Sequence, residues 1–533
     1  MERTPVISLA LNAQLPFISP LAGSSLKNHS AAEAGNMNWF FESLSETYIP
    51  LLGALGRLEQ DHIPFRLGIV FSPLLCRLLE DREIIGRYLD YTDRQIEFGE
   101  QELKRTEGQG GLHELVKFYH DWILEKRFAF VERYEQDILK TFGYYQKKGW
   151  IEFLASSATG AFLPFYTGYP EAIQAQMEVS LSNYRSLFGR HPQGFWLTDL
   201  GWSAGLDPYL RMYNTGYTIV ESHALLFGNP PASRASFYPV RTPAGVLVMA
   251  RDYFAGEDYR RQLQANVYRD NRADAGYELP SDLVKDFLGP GGSRSVTGYK
   301  YWNRIGRFSP DGLYKPREAD AQAHEDARVF LRRRIDALLS AAKHMEENPL
   351  CLCAFNADDF GRYWHEGPRF IEELFRAGAG HARFMTPAEY LYKQETSSME
   401  TSMPEFSSAG ESGYAESWLD ASNDWIYRHL ARAVNRMTEL AERFPNDTGL
   451  KERALNQAAR EILLAQNADC SRMLHKQEHT DYARSHIESC LRNFTTIYEA
   501  LGSNYISTEW LTAVERMHDV FPHINYRIFR RKI

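Results

Sequence analysis

Cysteine is scarce in the 533-residue chain: Cys76, Cys351, Cys353, Cys470 and Cys490, all but two far apart. That excludes a disulfide-built scaffold. Cys351 and Cys353 stand in an apolar run with no second pair at zinc-site spacing. They read as two reduced thiols on one face of a buried strand, so a reducing, cytoplasmic setting is expected and neither metal nor cofactor is. Long apolar runs are also missing. No stretch reaches the about 18 residues of a membrane span. The run from Val6 to Ile18 is broken by Asn12, Gln14 and Pro16, with no small-residue cleavage pattern behind it. Neither a signal peptide nor a membrane partner is therefore expected. Basic charge is in deficit, 60 Lys and Arg against 69 Asp and Glu, net −9. A nucleic-acid partner is not expected, and a neutral ligand suits the balance. No internal repeat is visible, and nothing in the chain specifies a protein partner.

Aromatic residues are plentiful, at 10 Trp, 30 Tyr and 31 Phe, and hydrophobic residues make up 44 %. The length suggests two to four domains with substantial cores. Most aromatics serve such cores, and the rest suit stacking on the apolar faces of sugars.

Short apolar, partly β-branched runs recur along the first 390 or so residues. They are Val6–Leu11, Phe65–Phe71, Ile151–Ser156, Gly194–Leu197, Thr218–Ser222, Gly245–Ala250 and Leu350–Phe355. Helical patterns separate most of them, which predicts an α/β barrel or a wound parallel sheet. Residues 75–147 are helical in pattern throughout and read as an insertion after the second strand. Residues 395–414 are rich in Ser, Thr, Gly and Met and read as a linker or long loop. Beyond them, apolar residues at three- and four-residue steps predict about four amphipathic helices; Ile426, Leu430, Val434, Met437 and Leu440 are one such stripe. The expected domains are a barrel over 1–394 and a helical domain over 415–533.

Several spaced segments resemble family 57 glycoside hydrolases of the glucan branching-enzyme type. LALNAQLPFI (9–18) is similar to the family's first-strand L-H-x-H-L-P-[FY]. IEFLASSATGAFLPFY (151–166) resembles its T-H-G-F-L-P loop. GFWLTDLGWSAGLDPYL (194–210) resembles the segment carrying the nucleophile, and TGYKYW (297–302) its T-G-x-K-Y-[YW]. AFNADDFGRYWHEGP (354–368) resembles the general-acid segment F-D-A-E-L-F-G-H-W-W-x-E-G-P. NDWIYRHL (423–430) and QAAREILLAQNAD (457–469) are similar to the family's helical domain. The resemblance implies a seven-stranded β/α barrel with a helical insertion and an all-helical C-terminal domain. It also implies an α-1,4-glucan or malto-oligosaccharide ligand, and retaining chemistry by two carboxyl groups about 5–5.5 Å apart.

The departures fall on the catalytic positions. Asp199 stands where the family has its nucleophilic Glu, one methylene short, a retreat of about 1–1.5 Å that can cost on the order of 10²-fold in rate. Asn356 stands where the family has its acid Asp, and an amide neither gives nor takes the proton. The family histidines are Asn12, Gln14 and Gly160 here, the aromatic of S-S-W-G is Ala409, and a loop after Asp252 is shortened. Asp199 reads either as a nucleophile or as a hydrogen-bonded structural carboxylate. Asp358, if on the same strand face as Asn356, is a substitute acid. The resemblance further marks His223, Arg269, Gly292, Asp469 and Gln477 as substrate-binding positions, each with a structural reading beside it. Trp202 and Trp364 flank the two catalytic segments, as packing residues or as sugar platforms.

Three readings compete. One is a homologue in α-glucan or glycogen metabolism that has lost or strongly reduced its catalysis and still holds glucan. Another is an active, divergent branching enzyme or amylase with Asp199 as nucleophile. The third is a non-enzymatic scaffold or interaction protein.

Overall fold

A computed structural model describes residues 4–19, 31–396 and 399–532 of the chain. Each apolar run becomes a strand: β1 (Val6–Ala13), β2 (Leu67–Phe71), β3 (Ile151–Ser156), β4 (Gly194–Trp196), β5 (Tyr217–Val220), β7 (Leu247–Ala250) and β8 (Leu350–Asn356), with the short β6 (Val240–Arg241) and β9 (Arg383–Phe384) added at the margins. The spatial order is β6-β7-β5-β4-β3-β2-β1-β8, with β9 beside the start of β1. All pairs are parallel except β6 with β7. All eight residues of β1 are buried, as a parallel strand covered on both faces requires. The sheet curls until the backbone N–H of Asp252, just past β7, donates to the Leu352 carbonyl of β8 at 2.8 Å. The seven-stranded barrel with its helical insertion is thus the fold the sequence predicts.

The insertion between β2 and β3 consists of helices Pro73–Glu80, Arg82–Arg105, Gly111–Phe128 and Ile138–Lys147. Polar side chains cap three of them: Ser72 on the Leu75 N–H, Asp81 on Glu83 and Ile84, and Asp137 on Lys140. At the carboxyl end of the chain stand Asp424–Arg443, Leu450–Ala465, Ala468–Lys476, Thr480–Ser503 and Thr508–Met517, one helix more than the periodicity suggests. The predicted stripe of Ile426, Leu430, Val434, Met437 and Leu440 is buried. Among the described residues no helix is long and apolar enough to cross a membrane.

Residues 399–414 have a linker's composition but are strapped across the barrel mouth by backbone hydrogen bonds. Arg241 and Ser402, Asn229 and Met403, and Trp202 and Ser407 are bonded in this way, the last pair in both directions at 2.8 and 3.1 Å. Ser397 and Ser398 of the predicted loop lie outside the described residues. Continuous helix runs from Ala31 to Gln60, with a π-type turn over Leu44–Tyr48. That turn brings Glu46 and Thr47 against Gly361, at the end of β8's loop.

A Cβ at Gly361 would collide with the Glu46 carbonyl and the Thr47 Cα, neither of which can swing aside as a side-chain tip can. Gly361→Ala is therefore expected to destabilise the fold by about 1–3 kcal/mol through overpacking. The measurement is the thermal midpoint by calorimetry. An unchanged midpoint means the π-type turn is not packed on Gly361 as described.

Candidate active site

The carboxyl ends of the barrel strands open on a cleft of about 430 Å³, where folds of this kind place their chemistry. β1 supplies Asn12, with Gln14, Leu15 and Pro16 beyond it. The loop after β4 supplies Asp199. β8 and the turn beyond it supply Asn356, Asp358 and Asp359, and the helix Ala468–Lys476 adds Asp469, Arg472 and Lys476. The two positions singled out by the motifs thus share one cavity. The register of β1 on β8 sets Asn12 opposite Asn356, and the Asn12 amide donates to Asn356 Oδ1 at a long 3.5 Å.

Asp199 sits three residues past the end of β4 in left-handed backbone geometry (φ 51°, ψ 33°), and Leu200 is there too with φ 52°. Asp tolerates this region and Leu does not, so the turn holds strain of the kind kept where a side chain must be aimed. The strap fixes it: the Ala409 N–H donates to the Asp199 carbonyl at 2.7 Å. Among the described residues no donor reaches the Asp199 carboxyl itself. Burial pushes that carboxyl up to about 6; the Asp469 charge adds to the rise, and Arg472 and Lys476 oppose it.

The strand ends at Asn356, and residues 357–360 turn into a short 3-10 helix. Asp358 therefore does not share a strand face with Asn356, which corrects the geometry assumed for it as a substitute acid. It turns inward, buried, and accepts from Ser43 Oγ at 2.8 Å and Thr47 Oγ1 at 3.2 Å, with Arg362 at 3.7 Å. Asp359, half-buried on the cleft wall, is the carboxyl beside Asn356. Its Oδ2 accepts the Asn356 N–H at 3.2 Å, and the Asn356 side chain caps the same turn in return. Burial and the Asp358 charge raise Asp359 to about 6, against the pull of that hydrogen bond.

Of the substrate positions marked by the sequence, Asp469 lines the cleft; it accepts from Gln14 Nε2 at 3.3 Å and pairs with Arg472. Trp202 and Trp364 do not. They are 0 % and 1 % exposed, the former donating from Nε1 to the Pro404 carbonyl, the latter packed on Tyr268, Phe360 and Phe370. Neither has a face for a sugar. Arg269 is equally buried, ion-paired to Glu46 below the cleft floor and hydrogen-bonded to Asn271. His223 packs under the strap, its Nε2 3.0 Å from the Gly413 carbonyl. Gly292 lies in a remote turn with φ 76°, and exposed Gln477 ends its helix with φ 55°. Arg269, His223, Gly292 and Gln477 are likewise absent from the cleft lining.

Sequence reasoning passed over Trp39, Arg272, Asp359, Arg362, Tyr363 and Arg472, all on the cleft wall. Only Asp359 carried a signal, an acidic residue where the motif it resembles has Leu. A second cavity of about 1220 Å³ adjoins the first and shares Trp39, Arg272, Arg362, Tyr363, Glu478 and His479 with it, so the cleft continues as a groove. Gln14 fills the space above Gly160 (φ 70°), where a Cβ would come within 2.5 Å of Gln14 Nε2.

A parallel barrel with acidic groups at its strand ends, roofed on one side by a helical domain, is the build of a carbohydrate-active barrel protein. Residues 27–259 match the model of glycosyl hydrolase family 57, and 429–529 match that of the 1,4-alpha-glucan branching enzyme C-terminal region. The crystal structure of the alpha-amylase AmyC from Thermotoga maritima superposes with a TM-score of 0.89 at 30 % identity, covering 100 % of both chains. The chain belongs to glycosyl hydrolase family 57. A 1,4-alpha-glucan branching enzyme of Thermococcus kodakarensis is 24 % identical over 92 % of this chain and 72 % of its own length. The branching enzyme from Pyrococcus horikoshii shares the fold, with a TM-score of 0.87 at 22 % identity over 100 % of this chain and 98 % of its own.

The raised carboxyls have a measurable consequence. Between its ordinary 3.8 and about 6, Asp199 is protonated in the fold and ionised in the unfolded chain. The folded state binds more protons there, so stability falls as pH rises through that window. Asp199→Asn is therefore expected to melt higher than wild type near pH 8, with the gain vanishing toward pH 4. Scanning fluorimetry at both pH values checks it. A variant less stable at both indicates a structural carboxylate.

Proposed function

We propose that the chain is an α-glucan-binding member of its family in which catalysis is lost or strongly reduced. One observation carries this reading: Asn356, which ends β8 where the resembled motif has its acid Asp, lines the cleft, and its amide has no proton to deliver. Cleavage of a glycosidic bond without a proton donor leaves a poor alkoxide to depart, and general acid–base assistance is worth about 10²–10⁴-fold. The shortened Asp199 compounds the loss.

The cleft keeps features suited to sugar. Asn12 Oδ1 and Gln14 Oε1 are buried without hydrogen-bond partners, acceptors for sugar hydroxyls on its floor. The half-exposed Tyr363 offers aromatic surface along the groove, and the largely buried Trp39 borders it. Asp469, Arg272 and Lys476 add polar contacts. The relatives are named for amylase and branching activities, and what carries over here is the ligand class, an α-1,4-glucan. A role in glycogen metabolism and a cytoplasmic setting belong to the same proposal, as does the division into a barrel over 1–394 and a helical domain over 415–533.

A second reading rests on Asp359. This carboxyl, raised to about 6, sits one turn beyond Asn356 on the cleft wall. With Asp199 as nucleophile it is the group placed to donate a proton, which would make the protein a slow, divergent enzyme.

Titration with maltoheptaose, followed by intrinsic tryptophan fluorescence, is expected to saturate, while amylose turnover stays at the detection limit. The double variant Asp199→Glu with Asn356→Asp is expected to hydrolyse weakly and branch little, because Asn12, Gln14 and Gly160 remain. Turnover of wild type at ordinary enzyme rates, about 1–10³ s⁻¹, rejects the first reading. Its abolition by Asp359→Asn then establishes the second. Absence of both binding and turnover leaves the scaffold.

A further inference from the structure

In the helical domain, behind Phe17 of the segment after β1, two histidines and a cysteine converge. His486 and Cys490 lie one turn apart on helix Thr480–Ser503, and His518 ends helix Thr508–Met517. One nitrogen of each ring and the Cys490 sulfur all lie within 4.8 Å of one another, and all three residues are buried. The Cys490 sulfur is 3.9 Å from His486 Nε2. We propose that His486, Cys490 and His518 form a binding site for a zinc-class divalent cation that ties these two helices together.

The donor set suits the ion. Zinc takes imidazole nitrogen at about 2.0–2.1 Å and thiolate sulfur at about 2.3 Å, which in a tetrahedron sets donors about 3.3–3.6 Å apart. With the donors within 4.8 Å of one another, the ion would draw them together by up to about 1.2–1.5 Å. A fourth protein group completes the pattern. Both oxygens of Glu461, buried on helix Leu450–Ala465, stand 2.8 Å from His518 Nδ1. A carboxylate beside a ligand imidazole orients the ring, as in carboxylate–histidine–zinc arrangements. Gln457 and Asn493 fix that carboxylate in turn.

Charge closes as well. A dication, the Cys490 thiolate and the Glu461 carboxylate sum to zero in a buried place where a residual charge would be costly. On metal binding the Cys490 thiol loses its proton to solvent as the S–metal bond forms. His486 Nε2 lies 3.2 Å from the Leu464 carbonyl, and that carbonyl also takes the Asn467 N–H at 3.2 Å, so it stays satisfied when the ring turns to the ion. The ligands come from positions 486, 490 and 518, a spacing no local motif announces.

The test uses the full chain, expressed in zinc-supplemented medium and purified without a metal-affinity tag or chelator. Plasma mass spectrometry is expected to find about one zinc per chain, held by three protein ligands with a fourth position left to water. Cys490→Ser and His518→Ala are expected to carry less than a tenth of that, and Cys351→Ser to keep it. Protein grown in cobalt is expected to show a thiolate-to-cobalt charge-transfer band that Cys490→Ser lacks. Wild type with less than a tenth of an equivalent of zinc overturns the proposal. So does full metal content in Cys490→Ser, or cobalt uptake without the thiolate band. Should either variant fail to fold, the wild-type zinc content and cobalt spectrum still decide.

Discussion

The pairing of β1 with β8 is the constraint on which the cleft depends. Parallel register allows no half-steps, since a slip of one residue reverses which side chains face inward. With Leu9 opposite Cys353 and Leu11 opposite Phe355, Asn12 must fall opposite Asn356 at the top of both strands. Everything that distinguishes the cleft grows from that point: Gln14 beyond Asn12, the 3-10 turn beyond Asn356, and Asp359 folded back onto the Asn356 N–H. The helix at 31–60 then closes over the turn through Ser43 and Thr47, which fix Asp358 inward.

The opposite wall is built by a different means. β4 is only three residues long and cannot by itself aim the loop that carries Asp199. The strap from 399 to 414 does so from outside, adding backbone hydrogen bonds at Trp202 and at the Asp199 carbonyl. The left-handed pair Asp199–Leu200 persists because its surroundings over-determine it. The helical domain completes the pocket with Asp469 and Arg472. Three parts of the chain thus meet at one carboxyl group, whose raised affinity for a proton reflects burial among them.

Much of this was legible in the sequence because burial on both faces leaves an unmistakable run of apolar residues. VISLAL, FRLGIVF and LCLCAF each became the strand they predict. The apolar stripe through Ile426, Val434 and Met437 became a helix face for the same reason. Side-chain direction was not legible. That Asp358 is tied inward to Ser43 and Thr47 while Asp359 folds back onto Asn356 turns on β8 ending at Asn356, and strand ends are set by tertiary contacts. Trp202 and Trp364 flank the cleft in sequence yet are wholly buried, since a tryptophan near a site reads the same whether its ring points in or out. The strap's serines and glycines gave no hint of docking, because backbone hydrogen bonds are indifferent to side-chain identity. Trp39 and Arg472 reach the cleft from opposite ends of the chain, and no spacing rule joins them.

Gln14 and Gly160 have grown into one another. Where the related motifs carry two histidines, one side chain now occupies the room of both, and the chain at 160 has settled into a left-handed turn that suits glycine. A side chain at 160 would need the Gln14 amide to swing aside and a left-handed backbone to carry a Cβ. The two positions are thus coupled, and a change at 160 reshapes the floor of the cleft through Gln14 before any ligand enters it.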